Sequence, residues 1–205
     1  MAKIAIDANI PISFNSEKVD FWSGFIKYVK ATGHGILIPI EIFGELLDRR
    51  TKRVVEDSNL IQKIPIGEEV YDKVKNDCRG ACSTVIQNND YKLIAMAVHE
   101  DVDYLVSNDY ALINVAKAYK KSKGIPKDEM VLMTAANLLW LMHRERKDLF
   151  GWKPHVRVNL RFYRHIEIPN TYDGITKRQW DEQFAKNRFD PYQTNIINTI
   201  NSVGR

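Results

Sequence analysis

Four short runs in the first two thirds of the chain, Lys3–Ile6, Ile36–Ile38, Tyr104–Val106 and Met130–Met133, are apolar on both faces. A strand with no polar face has to be covered on both sides. Water-facing antiparallel hairpins do not ask for that, whereas parallel sheets clad in helices do. Stretches with helical spacing lie between the runs. Phe21 to Val29 is apolar at 21, 22, 25, 26, 28 and 29 and stops at Gly33-His34-Gly35. Ile42, Phe43, Leu46 and Leu47 follow the second run, and Val70 and Val74 lie within a helical Gly67–Asp77. Leu93, Ile94, Ala97 and Val98 share one face, as do Leu112, Val115, Ala116 and Tyr119, which Gly124 and Pro126 close off. Thr134 can cap a last helix carrying Ala135, Leu138, Leu139 and Met142. Alternating strand and helix of this kind predict an α/β fold around a parallel sheet. Gln62–Ile66 reads equally as strand or extended connector, and Gly80–Asn88 has no deciding pattern.

The chain has 205 residues, enough for one sizeable core plus an appendage, and 44% of them are hydrophobic, as in ordinary globular proteins. The net charge is +4, and residues 148–205 hold most of it, with 9 Lys+Arg against 6 Asp+Glu. From Asp148 the texture changes: Trp152, Arg157, Arg161, Phe162, Tyr163, Arg164 and His165 interleave aromatic and basic residues. The expected division is a domain over 1–147 and a basic, aromatic C-terminal extension over 148–205, read as a strand pair and a helix around Thr176 to Lys186. Cys78 and Cys82 lack further ligands at zinc-finger spacing and are expected to be reduced thiols. The N-terminal apolar run is too short for a signal peptide, and nothing approaches the ~20 apolar residues of a membrane span. The expected location is cytoplasmic.

In open α/β sheets, ligands bind beyond the carboxyl ends of the strands. Asp7 directly follows the first run, and Asp109 follows Tyr104–Val106 with Ser107 and Asn108 between. Asp90 falls in the first turn of the helix leading into that strand. Glu45 lies one or two turns into the helix after the second strand, whose C-terminus would carry Arg49, Arg50, Lys52 and Arg53, where the helix dipole favours positive charge. Any one of these acids is ordinary as a cap or a surface residue. Four brought together would repel unless a cation offset them. Oxygen donors suit Mg²⁺ or Mn²⁺, which can activate water and offset charge on a phosphate.

The segments Ile4-Ala5-Ile6-Asp7-Ala8-Asn9, Ile42-Phe43-Gly44-Glu45-Leu46-Leu47, Asp90-Tyr91-Lys92-Leu93-Ile94-Ala95-Met96-Ala97 and Leu105-Val106-Ser107-Asn108-Asp109 resemble, in order, the four acidic motifs of PIN-domain nucleases. The resemblance covers about residues 1–147. It implies a three-layer α/β/α sandwich and a Mg²⁺- or Mn²⁺-dependent endoribonuclease cutting single-stranded or structured RNA. Asp7, Glu45, Asp90 and Asp109 would be its catalytic, metal-binding acids, with Asn9 and Ser107 supporting them. The long stretch from Glu45 to Asp90 and the extension from Asp148 depart from a compact PIN toxin. A toxin and an RNA-processing enzyme both remain open, with room for a homodimer or an antitoxin-like protein partner.

Arg49, Arg50, Arg53, Arg157, Arg161 and Arg164 are candidates for RNA contacts, and Lys117, Lys120, Lys121 and Lys123 form a second basic cluster. Val158, Leu160 and Phe162 alternate as an amphipathic strand would. Asp101 and Asp103 read as solvated acids ahead of a strand. The competing function is a non-catalytic RNA-binding or scaffold protein on the same fold. A haloacid-dehalogenase phosphatase would want a second Asp where Asn9 stands.

Overall fold

The computed structural model describes residues 1–142 except 17, 18, 47, 48, 58, 136, 137, 139 and 140. The extension over 148–205, with Arg157, Arg161 and Arg164, lies outside the described residues.

In chain order the elements are β1 (Lys3–Ile6), α1 (Asn9–Phe14), β2 (Asn15–Ser16), β3 (Val19–Asp20), α2 (Phe21–Thr32), β4 (Gly35–Pro39), α3 (Ile40–Gly44) and α4 (Arg49–Asp57). Then come β5 (Ile61–Ile64), α5 (Glu68–Ala81), α6 (Asn88–His99), β6 (Tyr104–Val106), α7 (Tyr110–Lys123) and β7 (Val131–Met133). Five strands form one all-parallel sheet in the order β5-β4-β1-β6-β7, and β2 and β3 pair as a separate antiparallel ribbon. The central β1 aligns Ile4 with Ile36 on one side and with Tyr104 on the other. Ile4, Ala5 and Ile6 are fully buried, as a strand apolar on both faces demands.

The chain winds outward from β1 through β4 to β5, then returns to the other side of β1 for β6 and β7. Right-handed crossovers turn that reversal into two helical layers on opposite faces. On one face α1 packs against α2 and α4. On the other, α5, α6 and α7 close around Val74, Cys78, Tyr91, Ile94, Ala95, Val115, Ala116 and Tyr119, and α6 lies against β1 and β4. The result is an α/β fold with helices flanking a parallel sheet. Of Gln62–Ile66, the first three residues are strand, in a β5 that pairs Ile61 with Ile36, and Pro65 and Ile66 connect it to α5. Cys78 and Cys82 are both free thiols, and burial pushes Cys78 up to about 12, so it stays protonated. Among the described residues, no helix is long and apolar enough to cross a membrane.

Three expectations about charge are corrected. The helix after β4 ends at Gly44, so Glu45 is its C-cap rather than an interior residue. Glycine weakens a helix interior by about 1 kcal/mol relative to alanine, which favours a break there. A new helix, α4, then starts at Arg49, so Arg49, Arg50, Lys52 and Arg53 open a helix instead of closing one. The second basic cluster sits at the wrong edge for a shared site. From its N-cap Asp109, α7 runs for 14 residues, about 20 Å at the usual rise, away from the carboxyl ends of the strands. There Lys120 is buried and donates to the carbonyls of Glu129 and Met130, while Lys123 pairs with Asp77 at 2.7 Å. Asp103 at that same edge is more than a solvated acid: its Oδ2 accepts the Lys3 backbone N–H at 2.7 Å and ties the start of β6 to β1.

Candidate active site

Strand connections diverge on either side of β1, and in open α/β sheets such a switch point marks the ligand-binding edge, here beyond the carboxyl ends of β1 and β6. Asp7 is the first residue past β1. Its backbone N–H donates to the Val106 carbonyl at 3.0 Å, which extends the β1–β6 pairing and fixes the residue at that edge. The side chain is buried, and its Oδ2 accepts from Ser107 Oγ at 2.6 Å and from Asn9 Nδ2 at 2.5 Å.

Ser107, fully buried, is the hub of the loop after β6. Its hydroxyl donates to Asp7 and accepts from Asn9 Nδ2 at 3.1 Å and from the Asp109 N–H at 2.9 Å. Asn9 Oδ1 in turn accepts the Asn108 N–H at 3.1 Å. Asn9 and Ser107 therefore hold the two acid-bearing loops together. Ser107→Ala leaves a buried carboxyl acceptor short of a donor. Urea unfolding of that variant is expected to show a loss of about 1–3 kcal/mol, and an unchanged midpoint would mean the hub carries no load.

Asp109 uses Oδ1 to accept the N–H groups of Ala111 and Leu112 at 2.7 and 3.3 Å, so it caps α7 while staying exposed. Asp90, the third residue of α6, accepts the Gln87 N–H at 2.8 Å in a capping box. Glu45 is exposed and accepts from Asn89 Nδ2 at 2.5 Å. These hydrogen bonds each use one carboxylate oxygen: Oδ2 of Asp90, Oε1 of Glu45 and Oδ1 of Asp109.

Electrostatics shows that the four acids share one neighbourhood. Burial raises the Asp7 carboxyl above its usual range. The Ser107 hydrogen bond and the Ala8 backbone oppose this, and the charges of Asp109 and Glu45 add to it. Burial likewise pushes Asp90 up to about 6, against the Gln87 hydrogen bond and with the charges of Asp7, Asp109 and Glu45. Acids from four separate segments are thus close enough at one edge of the sheet for their charges to act on Asp7 and Asp90.

Three contributors carry little sequence signal. Asn89 holds Glu45 across from α6, and only its place beside Asp90 hints at that. Asn108 accepts the Ala135 N–H at 2.9 Å and ties the Ser107–Asp109 loop to the chain beyond β7. Lys92 pairs with Glu41 at 2.6 Å, a second link from α6 to α3. Burial pushes Glu41 up, but the Lys92 hydrogen bond, the backbone and the Lys92 charge together bring it below its usual value.

The sequence matches no model of a known protein family, and no curated protein matches it. What the side chains can do follows from their chemistry. Among the described residues, no three carboxylate, imidazole or thiol groups converge tightly enough to form a ready-made metal cage. The donor set still fits a hard divalent ion. Mg²⁺ usually keeps several waters and takes one or two carboxylates plus phosphate oxygens, so a closed cage is not required. Like charges gathered around a buried carboxylate are also the environment a cation relieves.

Proposed function

We propose that this chain is a metal-dependent endoribonuclease of PIN-like type, hydrolysing RNA phosphodiester bonds. The observation that carries the reading is the gathering of Asp7, Glu45, Asp90 and Asp109 at the carboxyl edge of the sheet, where the charges of Asp109 and Glu45 add to the burial that raises Asp7 and Asp90. These four would hold Mg²⁺ or Mn²⁺, which supplies an activated water and charge stabilisation for an in-line displacement. The chain's own contribution is positioning. Ser107 and Asn9 fix Asp7 in one orientation, Gln87 fixes Asp90, Asn89 fixes Glu45, and the first turn of α7 fixes Asp109. Arg49, Arg50 and Arg53 belong to the first turns of α4, which follows Glu45 at the same edge, and suit phosphate contacts. The reading places the protein in the cytoplasm, as a toxin with an antitoxin-like partner or as an RNA-processing enzyme, and as a monomer or a homodimer.

A non-catalytic RNA-binding or scaffold role is less well supported. Clustered like charges cost stability, and a protein that only binds a polyanion gains nothing from them. A panel of single-stranded and structured RNAs, incubated with Mn²⁺, Mg²⁺ or EDTA, separates the two. Cutting that needs the metal and stops in EDTA is expected. RNA binding without cutting under any of these conditions would overturn the nuclease.

A further inference from the structure

Acids that gather a cation also repel the polyanion they are meant to cut, so the strand has to be held by positive charge to one side. The described ammonium groups can be sorted by place and by partner. Lys120 and Lys123 are at the far edge and already engaged. Lys92 is at the acid edge but committed to Glu41. Lys52 and Lys63 are different. Lys52 lies in the first turns of α4, just after Glu45, and Lys63 lies one residue before the carboxyl end of β5.

Their two ammonium groups converge on one ring. Lys52 Nζ is 5.4 Å and Lys63 Nζ 3.8 Å from the centre of Phe43, a buried residue two positions before Glu45. The ring attracts each cation by its quadrupole, but it neutralises neither, and the two repel. Lys63 meets Glu56 at 3.5 Å, with both side chains more than 40% exposed, so solvent screens that pair heavily. Lys52 has no carboxylate partner among the described residues. The helix gives no relief either, because α4 opens with basic residues against its own dipole. Both ammonium groups therefore keep positive charge to offer an anion beside Phe43.

We propose that Lys52 and Lys63 form a phosphate subsite, holding the backbone of single-stranded RNA beside the acids. Its place in a reaction rests on the nuclease reading, but its binding can be measured without any cleavage. Anisotropy of a fluorescent single-stranded RNA oligonucleotide, titrated with the full chain in EDTA across a KCl series, reads it directly. The Lys52→Gln/Lys63→Gln protein is expected to bind about 10- to 30-fold more weakly at 0.1 M salt, and its log–log salt slope to fall by about 1.4, at ~0.7 per phosphate contact. Lys63→Arg, which keeps the charge, should retain most of the affinity. Lys121→Gln/Lys127→Gln, at the opposite edge, should match wild type. Melting curves for each protein guard against loss of fold. Wild-type affinity and slope in the Lys52/Lys63 variant overturn the subsite even if metal-dependent cleavage is present. Weakened binding with no cleavage by wild type keeps the subsite and removes the nuclease. No RNA binding by wild type in EDTA removes the subsite and leaves the nuclease to the cleavage panel.

Discussion

Asp7→Asn is expected to abolish metal-dependent RNA cleavage, by about a thousand-fold or more, without unfolding the protein. The size follows from the loss of a cation contact worth several kcal/mol in the transition state, at tenfold per ~1.4 kcal/mol. The sign of the stability effect follows from the site. Asp7 is buried, and burial together with Asp109 and Glu45 disfavours its charge. Asparagine removes that charge, yet its Oδ1 can take the place of the oxygen that accepts from Ser107 and Asn9. The variant should therefore melt at the wild-type temperature or above it. Single-turnover cleavage beside a thermal melt gives both numbers. Asp103→Asn is the control, since that acid serves the Lys3 backbone at the other edge and should leave cleavage untouched. Retained activity in Asp7→Asn would remove Asp7 from the chemistry. A sharply lowered melting temperature would mean that its charge serves the fold instead.

Much of this site was legible because a parallel sheet ties sequence position to place. A residue just past an apolar run must emerge at the carboxyl edge, so Asp7 and Asp109 could be put together across a hundred residues. Asp90 was legible through helix-start chemistry, as it belongs to a capping box. The segment around Glu45 was harder to read. Ile42, Phe43, Leu46 and Leu47 keep a helical spacing through Gly44, and periodicity does not register a break at one glycine. Misplacing that break put the basic cluster at a helix C-terminus, where the dipole would have explained it. At the start of α4 the dipole opposes it. Lys63 gave no signal at all, because its relation to Lys52 depends on β5 lying beside β4 and on Phe43 between them. The short α1 is too brief, at six residues, to show a helical period, and it accepts Pro11 within its first turn.

Divalent metal should stabilise the protein strongly at neutral pH and much less in acid. Burial raises Asp90 to about 6 in the folded chain, against about 3.8 for an ordinary aspartate. Between those values the folded state binds more protons than the unfolded state, so stability from this group falls as pH rises through the window. The metal-free protein is thus expected to lose stability between pH 4 and pH 6, the reverse of an acid held by a salt bridge. Asp7, raised for the same first reason, acts in the same direction. A cation at the site competes with these protons and turns the penalty into a gain. At 100 times its dissociation constant it contributes about 2.7 kcal/mol, which is about 5–11 °C in melting temperature for a chain of this size. Below about pH 5 the proton wins, and the shift caused by Mn²⁺ should shrink towards zero. Melts at pH 5 and pH 7.5, with Mn²⁺ and with EDTA, measure this directly. An equal shift at both values would place the ion on ordinary surface carboxylates, which remain charged at pH 5. No shift at either value would leave four repelling acids without their cation and remove the metal-dependent mechanism.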